Sequence, residues 1–427
     1  VAHFDEGIIN LTRGLEAGRV ANGEALTRVV AMLDRTLSKP VDEWAAYEPA
    51  KAELEGEWVA AYREGLGAIL EDELRPAITR YRDFVRDQLL PKARSDEKAG
   101  LVALDVGEAC YAALVKGHTT LDLSPKEIHE IGLREMKKIN DEMVKLGGPI
   151  ANTKKLSKIL AYFRNEPSVH FKTSEEVEQF AVQALADAKA AMPKFFGILP
   201  QTDCKVTRIP DYEAPFTTIA YYSPPHTDGS KPGEYYINTY APETRPIYEA
   251  RVLAYHESIP GHHLQIAISQ ELGDLPAFRK HGGHTAFVEG WALYTERLSD
   301  EMGLYPEDLD RMGVLSFDAW RAGRLVVDTG IHAMGWSRQQ AVKYLEEHSL
   351  LALNNIDNEV DRYITTPGQA LAYKLGQLEI LRLRDEARDK LGDAFSYPEF
   401  HDVVLGAGAV SLPVLGARVA AWLEGKS

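Results

Sequence analysis

Through roughly the first 195 residues, apolar side chains recur at three- and four-residue intervals, the spacing of a single buried helix face. The pattern predicts helices over 5–15, 24–37, 50–70, 71–90, 105–118, 124–146 and 174–192, with a shorter one over 156–164. Ser124-Pro125-Lys126-Glu127 is a strong start signal: a serine cap, proline in the first helical position, and glutamate three residues after the cap. Gly147-Gly148-Pro149 is expected to close that helix. Between Gln201 and Tyr240 the period changes. Residues 206–209, 217–222 and 233–238 are β-branched or aromatic runs bounded by Pro, Gly and Asp, which predicts a small antiparallel sheet. From Arg245 the helical spacing returns, over 246–267, 285–302, 306–329, 337–348, 356–364 and 368–391, with a final pair after Tyr397. The expected fold is mainly α, a large helical body forming a cleft. Its organisation is read as a helical wall over 1–200, then a small sheet and a helical catalytic domain over 201–427.

Within the 246–267 segment stands Tyr255-His256-Glu257-Ser258-Ile259-Pro260-Gly261-His262-His263-Leu264-Gln265. A His-Glu pair with a second histidine one turn later would put two metal ligands and a general base on one helix face. The spacing here differs. On a regular helix His262 lies about 600° beyond His256, off that face, and His263 lies about 10.5 Å further along the axis. Pro260 has no N–H for the carbonyl of His256, so the helix is predicted to break just after that residue, with Gly261 accommodating the bulge. Looping out Pro-Gly brings His262 to the position of a one-turn histidine. His256 and His262 are therefore the expected ligands, with Glu257 facing the metal-bound water. His263 is then a supporting or substrate-facing group, or itself the ligand if the bulge turns the other way.

Catalytic zinc usually has three protein ligands and an open position. The third candidate is Glu289, inside the apolar run Thr285-Ala286-Phe287-Val288-Glu289-Gly290-Trp291-Ala292-Leu293-Tyr294-Thr295-Glu296, where an unpaired carboxylate is costly. Glu296, two turns on, is expected to support a ligating histidine, and His281 and His284 fall in a polar His-Gly-Gly-His loop. Arg321, Arg324, Asp328 and His332 recur every three or four residues, the pattern of a salt-bridged face or, beside a metal site, of a carboxylate- or oxyanion-binding stripe. Arg362, Tyr363, Gln369, Tyr373 and Lys374 form a second cluster.

Composition narrows the partners. The 427 residues carry a net charge of −16, which argues against nucleic-acid or anionic-membrane partners. No apolar run approaches the ~20 residues of a membrane span. Cys110 and Cys204 are far apart and in no metal spacing, so disulfides do not organise the fold. The chain opens on Val1-Ala2-His3, from which an upstream piece is expected; cytoplasmic and exported locations both remain open, as does the oligomeric state.

His-Glu-x-x-Pro-Gly-His-His-Leu-Gln followed by Phe-x-Glu-Gly-Trp-Ala-Leu-Tyr-x-Glu resembles a mostly bacterial family known as a domain of unknown function and related to helical zinc metallopeptidases. The resemblance extends upstream to Asp228-Gly229-Ser230-Lys231-Pro232-Gly233 and Tyr235-Tyr236-Ile237-Asn238. Downstream it takes in Val327-Asp328-Thr329-Gly330-Ile331-His332, Gly335-Trp336-Ser337, Pro367-Gly368-Gln369-Ala370 and Tyr373-Lys374-Leu375-Gly376. It implies a metallohydrolase with one zinc per chain, favoured over manganese or cobalt by ligand type. It also implies that a tyrosine from a late helix, Tyr373 first and Tyr363 second, steadies the oxyanion with His332 and Arg324 nearby. A strand just before the metal helix pairs with extended peptides in zinc peptidases, which points to Tyr236 and Asn238 as substrate contacts. The expected activity is zinc-dependent cleavage of peptides with Glu257 as general base. Two rivals are hydrolysis of a non-peptide amide or ester, and metal or partner binding without turnover.

Overall fold

A computed structural model describes residues 1–211, 213–273 and 275–426. The first half is helical as expected: α1 (Ala2–Glu16), α2 (Gly23–Leu37), α3 (Glu48–Lys51), α4 (Trp58–Ile69), α5 (Arg75–Phe84), α6 (Gly107–Thr119), α7 (Pro125–Ile150), α8 (Leu156–Asn165) and α9 (Ser174–Ala191). Wide π-type turns over Leu70–Leu74 and Val85–Leu89 continue α4 and α5 into one rod. The serine cap of α7 is present in full, with Ser124 and Glu127 satisfying each other's backbone N–H groups. Its predicted stop is displaced. The helix runs through Pro149 to Ile150, because proline in the last turn removes only one bond and Ala151 N–H still reaches the carbonyl of Gly147.

Three strands follow: β1 (Cys204–Arg208), β2 (Ala220–Ser223) and β3 (Gly233–Ile237). Their order is β1-β3-β2, with β3 central, parallel to β1 and antiparallel to β2. The sheet is thus mixed rather than antiparallel. Alternation along each strand fixes which side chains share a face and leaves strand order and direction open.

The second half comprises α10 (Ile247–Glu257), α11 (His262–Glu271), α12 (Ala277–His281), α13 (Thr285–Glu301), α14 (Asp308–Met334), α15 (Arg338–His348), α16 (Leu353–Thr365), α17 (Leu371–Leu391), α18 (Tyr397–Leu405) and α19 (Leu412–Glu424). The axis of the molecule is α14, buried from Met312 to His332 apart from half-buried Trp320. It packs along α7 from the first half and against α10, α15 and α17 from the second. The core crosses residue 200: one cluster joins Leu185, Met192 and Phe196 to Tyr255, Trp291 and Phe400.

Two helices of the second half meet backbone to backbone. A Cβ on Gly290 of α13 would lie 2.5 Å from the Cα of Gly376 in α17, and one on Gly376 would lie 1.9 Å from the carbonyl oxygen of Ala286. The contact needs glycine on both sides and sets the spacing between the Glu-Gly-Trp and Tyr-Lys-Leu-Gly segments. Gly376→Ala should force the pair apart and lower stability by about 3 kcal/mol, read as a fall in denaturant midpoint. Gly416→Ala on α19, whose new methyl would have no neighbour nearer than 3.8 Å, should leave the midpoint nearly unchanged.

Candidate metal centre

The metal-type residues come together where the predicted helix break occurs. α10 ends at Glu257, α11 begins at His262, and Ser258 to Gly261 turn the chain between them, with a cis bond between Ile259 and Pro260. The turn is held from three sides. Ser258 Oγ donates to the carbonyl of Ala254 at 2.5 Å, and His263 N–H donates to the carbonyl of Ser258 at 2.9 Å. Trp291 Nε1–H of α13 donates to the carbonyl of Pro260 at 2.9 Å. What demands glycine at position 261 is space, since a Cβ there would sit 2.0 Å from the carbonyl oxygen of His256.

This turn brings the rings of His256 and His262 to 4.8 Å between centroids, nearly perpendicular, facing Glu289. One donor atom from each of the three residues fits within a 4.8 Å span. His262 Nε2 and His256 Nε2 lie 3.5 and 3.8 Å from Glu289 Oε2. These separations are long for hydrogen bonds. They are close to the ~3.3 Å edge of a tetrahedron of zinc ligands with bonds of about 2.0–2.1 Å. His262 Nδ1 is buried without a partner, and His256 Nδ1–H is taken by Glu296 Oε1 at 2.7 Å, so each ring offers Nε2 to the centre. Two imidazoles and a carboxylate are a donor set of catalytic zinc. Glu296 behind His256 fixes that ring's tautomer and orientation.

The electrostatics also suit a cation. Burial pulls the His256 imidazolium down, but Glu289 and Glu296 outweigh it and raise it to about 9. Burial pushes the Glu289 carboxyl up, but the two histidines hold it well below its usual range. Half-buried Glu257 follows His256 directly, has no hydrogen bond or ion pair among the described residues, and adds its charge to the field on the His256 ring. Glu289 and Glu296 thus flank the His256 ring, one at each nitrogen, an acidic setting that suits a divalent ion.

His263 takes a different place. Its Nε2–H donates to the carbonyl of Thr202 at 3.0 Å, and its Nδ1 accepts from the Tyr222 hydroxyl at 2.9 Å. Both nitrogens are committed to tying α11 to the sheet. Gly233 of β3 passes so near that a Cβ would lie 2.4 Å from His263 Nδ1. Tyr236 stacks on Tyr221, with centroids 4.8 Å apart, and donates its hydroxyl to Glu234. Asn238 is buried and braces the loop through the carbonyls of Ala214 and Thr218. Since β3 is central, both its edges are occupied, and an added substrate strand has only the outer edges of the sheet to join.

The α14 stripe divides in two. His332 is buried, donating Nε2–H to the carbonyl of Tyr363 and accepting the N–H of Leu101 at Nδ1. Asp328 accepts from the Tyr111 hydroxyl and the Gly368 N–H. Those two hold neighbouring segments together. Arg324 and Tyr373 lie against each other. The Arg324 guanidinium lies 4.4 Å from the centroid of the Tyr373 ring and pairs with Glu359 at 3.0 Å. Burial, then the charge of Glu289, raise the Tyr373 phenol above its ordinary range. The Tyr363 hydroxyl is fully engaged, donating to Glu359 and accepting from Arg324 and Trp320. Lys374 is buried against Asp318 and Gln377. His281 and His284 lie exposed outside the cluster.

Sequence reasoning did not single out Trp291 as the clamp on Pro260, nor Glu359, whose position three before Arg362 and four before Tyr363 is a readable helical pairing signal. Glu249 was also unforeseen. It is two turns before His256 on α10, accepts from Ser316 Oγ at 2.6 Å, and is pushed by burial to about 7. Two open cavities, of about 460 and 280 Å³, lie elsewhere, lined by groups such as Glu24, Arg338 and Asn358, and Lys98, Val102 and Trp336.

Comparison with known proteins agrees with this architecture. Residues 1–419 match the family profile described as "Bacterial protein of unknown function (DUF885)". Two solved structures, each of a protein described as a putative lipoprotein, share the fold. The Colwellia psychrerythraea protein is 32% identical with a TM-score of 0.91, over 97% of this chain and 72% of its own. The Shewanella oneidensis protein, described as of unknown function, is 18% identical with a TM-score of 0.70, over 93% and 73%. No curated protein matches. The chain therefore belongs to the DUF885 family of bacterial proteins.

Proposed function

We propose that this protein is a zinc-dependent hydrolase that cleaves peptides. The observation that carries the reading is the convergence of His256, His262 and Glu289, with Glu296 behind one ligand and the unpartnered Glu257 beside it. A zinc ion bound there would supply Lewis acidity, polarising a substrate carbonyl and making water more acidic. The remaining work falls to the chain. Glu257 takes the proton of the attacking water and returns it to the leaving amine. Tyr373, with a phenol that stays protonated at neutral pH, donates toward the oxygen on which charge develops. Arg324 stacks on that ring and keeps it in place. The description of two relatives as lipoproteins supports an exported protein, acting where peptides rather than cytoplasmic metabolites are at hand.

Three predictions separate the roles. Elemental analysis of the purified chain should find one zinc per molecule, lost in His256→Ala and His262→Ala and kept in His263→Ala, whose ring serves the sheet. A chain that takes up no metal when zinc is supplied, or that loses it in His263→Ala alone, would overturn the assignment. Glu257→Gln should keep its zinc and lose peptide cleavage by roughly 10²–10⁴-fold. Glu296→Gln should weaken zinc binding by about 10–100-fold, measured by competition with a chromophoric chelator. A panel of peptides, non-peptide amides and esters assigns the substrate class. Turnover of esters or small amides with no peptide cleaved would favour a narrower hydrolase.

A further inference from the structure

The described residues include three buried arginines, and two have carboxylate partners. Arg324 pairs with Glu359 at 3.0 Å, and Arg384 with Glu301 at 2.7 Å. The third, Arg321 of α14, is 5% exposed and makes no ion pair or hydrogen bond among the described residues. Its Nε and Nη1 are both buried without a partner. Its guanidinium lies instead on aromatic faces, 4.3 Å from the Phe317 ring centroid and 4.0 Å from that of Trp320. Stacking of this kind fixes the plane of the group and leaves its N–H fork unspent.

The position of this lone cation gives it meaning. Trp320, 4.0 Å from this guanidinium, is met at 4.5 Å by that of Arg324, which lies 4.4 Å from the Tyr373 ring. Arg321 therefore belongs to the charged network of Arg324 and Tyr373, and the charge of Glu296, the carboxylate behind His256, acts on it. The acidic groups around it bond elsewhere: Glu359 to Arg324, Arg362 and Tyr363, Glu249 through one oxygen to Ser316, and Glu296 through one oxygen to His256, its Oε2 buried without a partner. An unpaired buried charge is among the most costly features a fold can retain. A guanidinium fork matches a carboxylate in two parallel hydrogen bonds.

We propose that Arg321 anchors a free carboxylate on the substrate, so that the site acts near the C-terminal end of peptides rather than within long chains. The assignment of peptides as substrate rests on the hydrolase reading; capture of a carboxylate by Arg321 does not.

The test titrates N-acetylated dipeptides, as free acids and as C-terminal amides, into the metal-free and the zinc-loaded full chain by calorimetry. The native protein should bind the free acids at least about tenfold more tightly than the amides in both forms. Arg321→Met should erase that preference, and Arg321→Lys should keep part of it. A merely structural arginine would lower the melting temperature when replaced. Arg321→Met should melt at or above the native temperature, because it removes an unpaired buried charge. Equal binding of acids and amides by the native chain overturns the proposal, as does an unchanged preference in Arg321→Met. If acids are preferred but no zinc binds and nothing is cleaved, the anchor stands and the hydrolase reading falls. If zinc binds and amidated peptides are bound and cleaved as readily as free acids, the hydrolase reading stands and the anchor falls.

Discussion

Everything at the centre depends on how closely the chain can fold back over the end of α10. His256 and His262 are six residues apart, a spacing that a regular helix cannot bring to one ion. The turn from Ser258 to Gly261 closes that gap by laying the backbone of Gly261 against the carbonyl of His256, where a Cβ would sit at 2.0 Å. The close approach in turn needs a fixed neighbour, which Trp291 provides from α13 by holding the carbonyl of Pro260. The helix that brings Glu289 thus also sets the bend that aligns the two histidines. Ligand geometry and loop geometry are a single constraint.

A second layer fixes α13 itself. Its backbone meets α17 at Gly290 and Gly376, and a buried charge network spans the same helices. Asp318 of α14 accepts from Lys374 of α17 at 2.5 Å and from Arg297 of α13 at 2.6 Å. Burial alone would push the Asp318 carboxyl up, but these two cations hold it far below its usual range. Buried networks of this kind add little net stability, since desolvation offsets most of the Coulomb gain. We take their effect here to be on register. A one-turn slip of α17 would strand Lys374 without its carboxylate and carry Tyr373, the adjacent residue, away from Glu289.

This explains which parts were legible in the sequence. The clustering of His256, His262 and Glu289, with Glu296 behind His256, could be read because its signals are local: a His-Glu pair beside a helix breaker, and carboxylates inside an apolar run. The α14 stripe could be read as a stripe only. Spacing of three and four places Arg321, Arg324, Asp328 and His332 on related faces but does not say what each face meets. Position along the helix decides it: the N-terminal pair meets Trp320 and, through Arg324, Tyr373, and the C-terminal pair meets Leu101, Tyr111 and Gly368. His263 was ambiguous for the same reason. Its adjacency to His262 suggested a shared role, whereas its partners, Tyr222 and Thr202, are more than 40 residues away in sequence. The direction of β1 against β3 is likewise a property of long-range pairing that alternation does not encode.

The distribution of charge carries the last step. A chain of net charge −16 repels anions at long range, yet that field is screened over about 8–10 Å in salt. Inside the fold the balance reverses over short distances. On one side Glu289 and Glu296 flank His256, a setting that favours a cation. On the other, Trp320 lies between two guanidiniums at 4.0 and 4.5 Å, of which Glu359 neutralises only that of Arg324. A metal bound by the proposed trio would stand at one pole of such a site, with a positive charge kept at the other. The ligand that satisfies both poles carries a polarisable carbonyl at one end and an anionic group at the other, which is the chemistry of a peptide terminus.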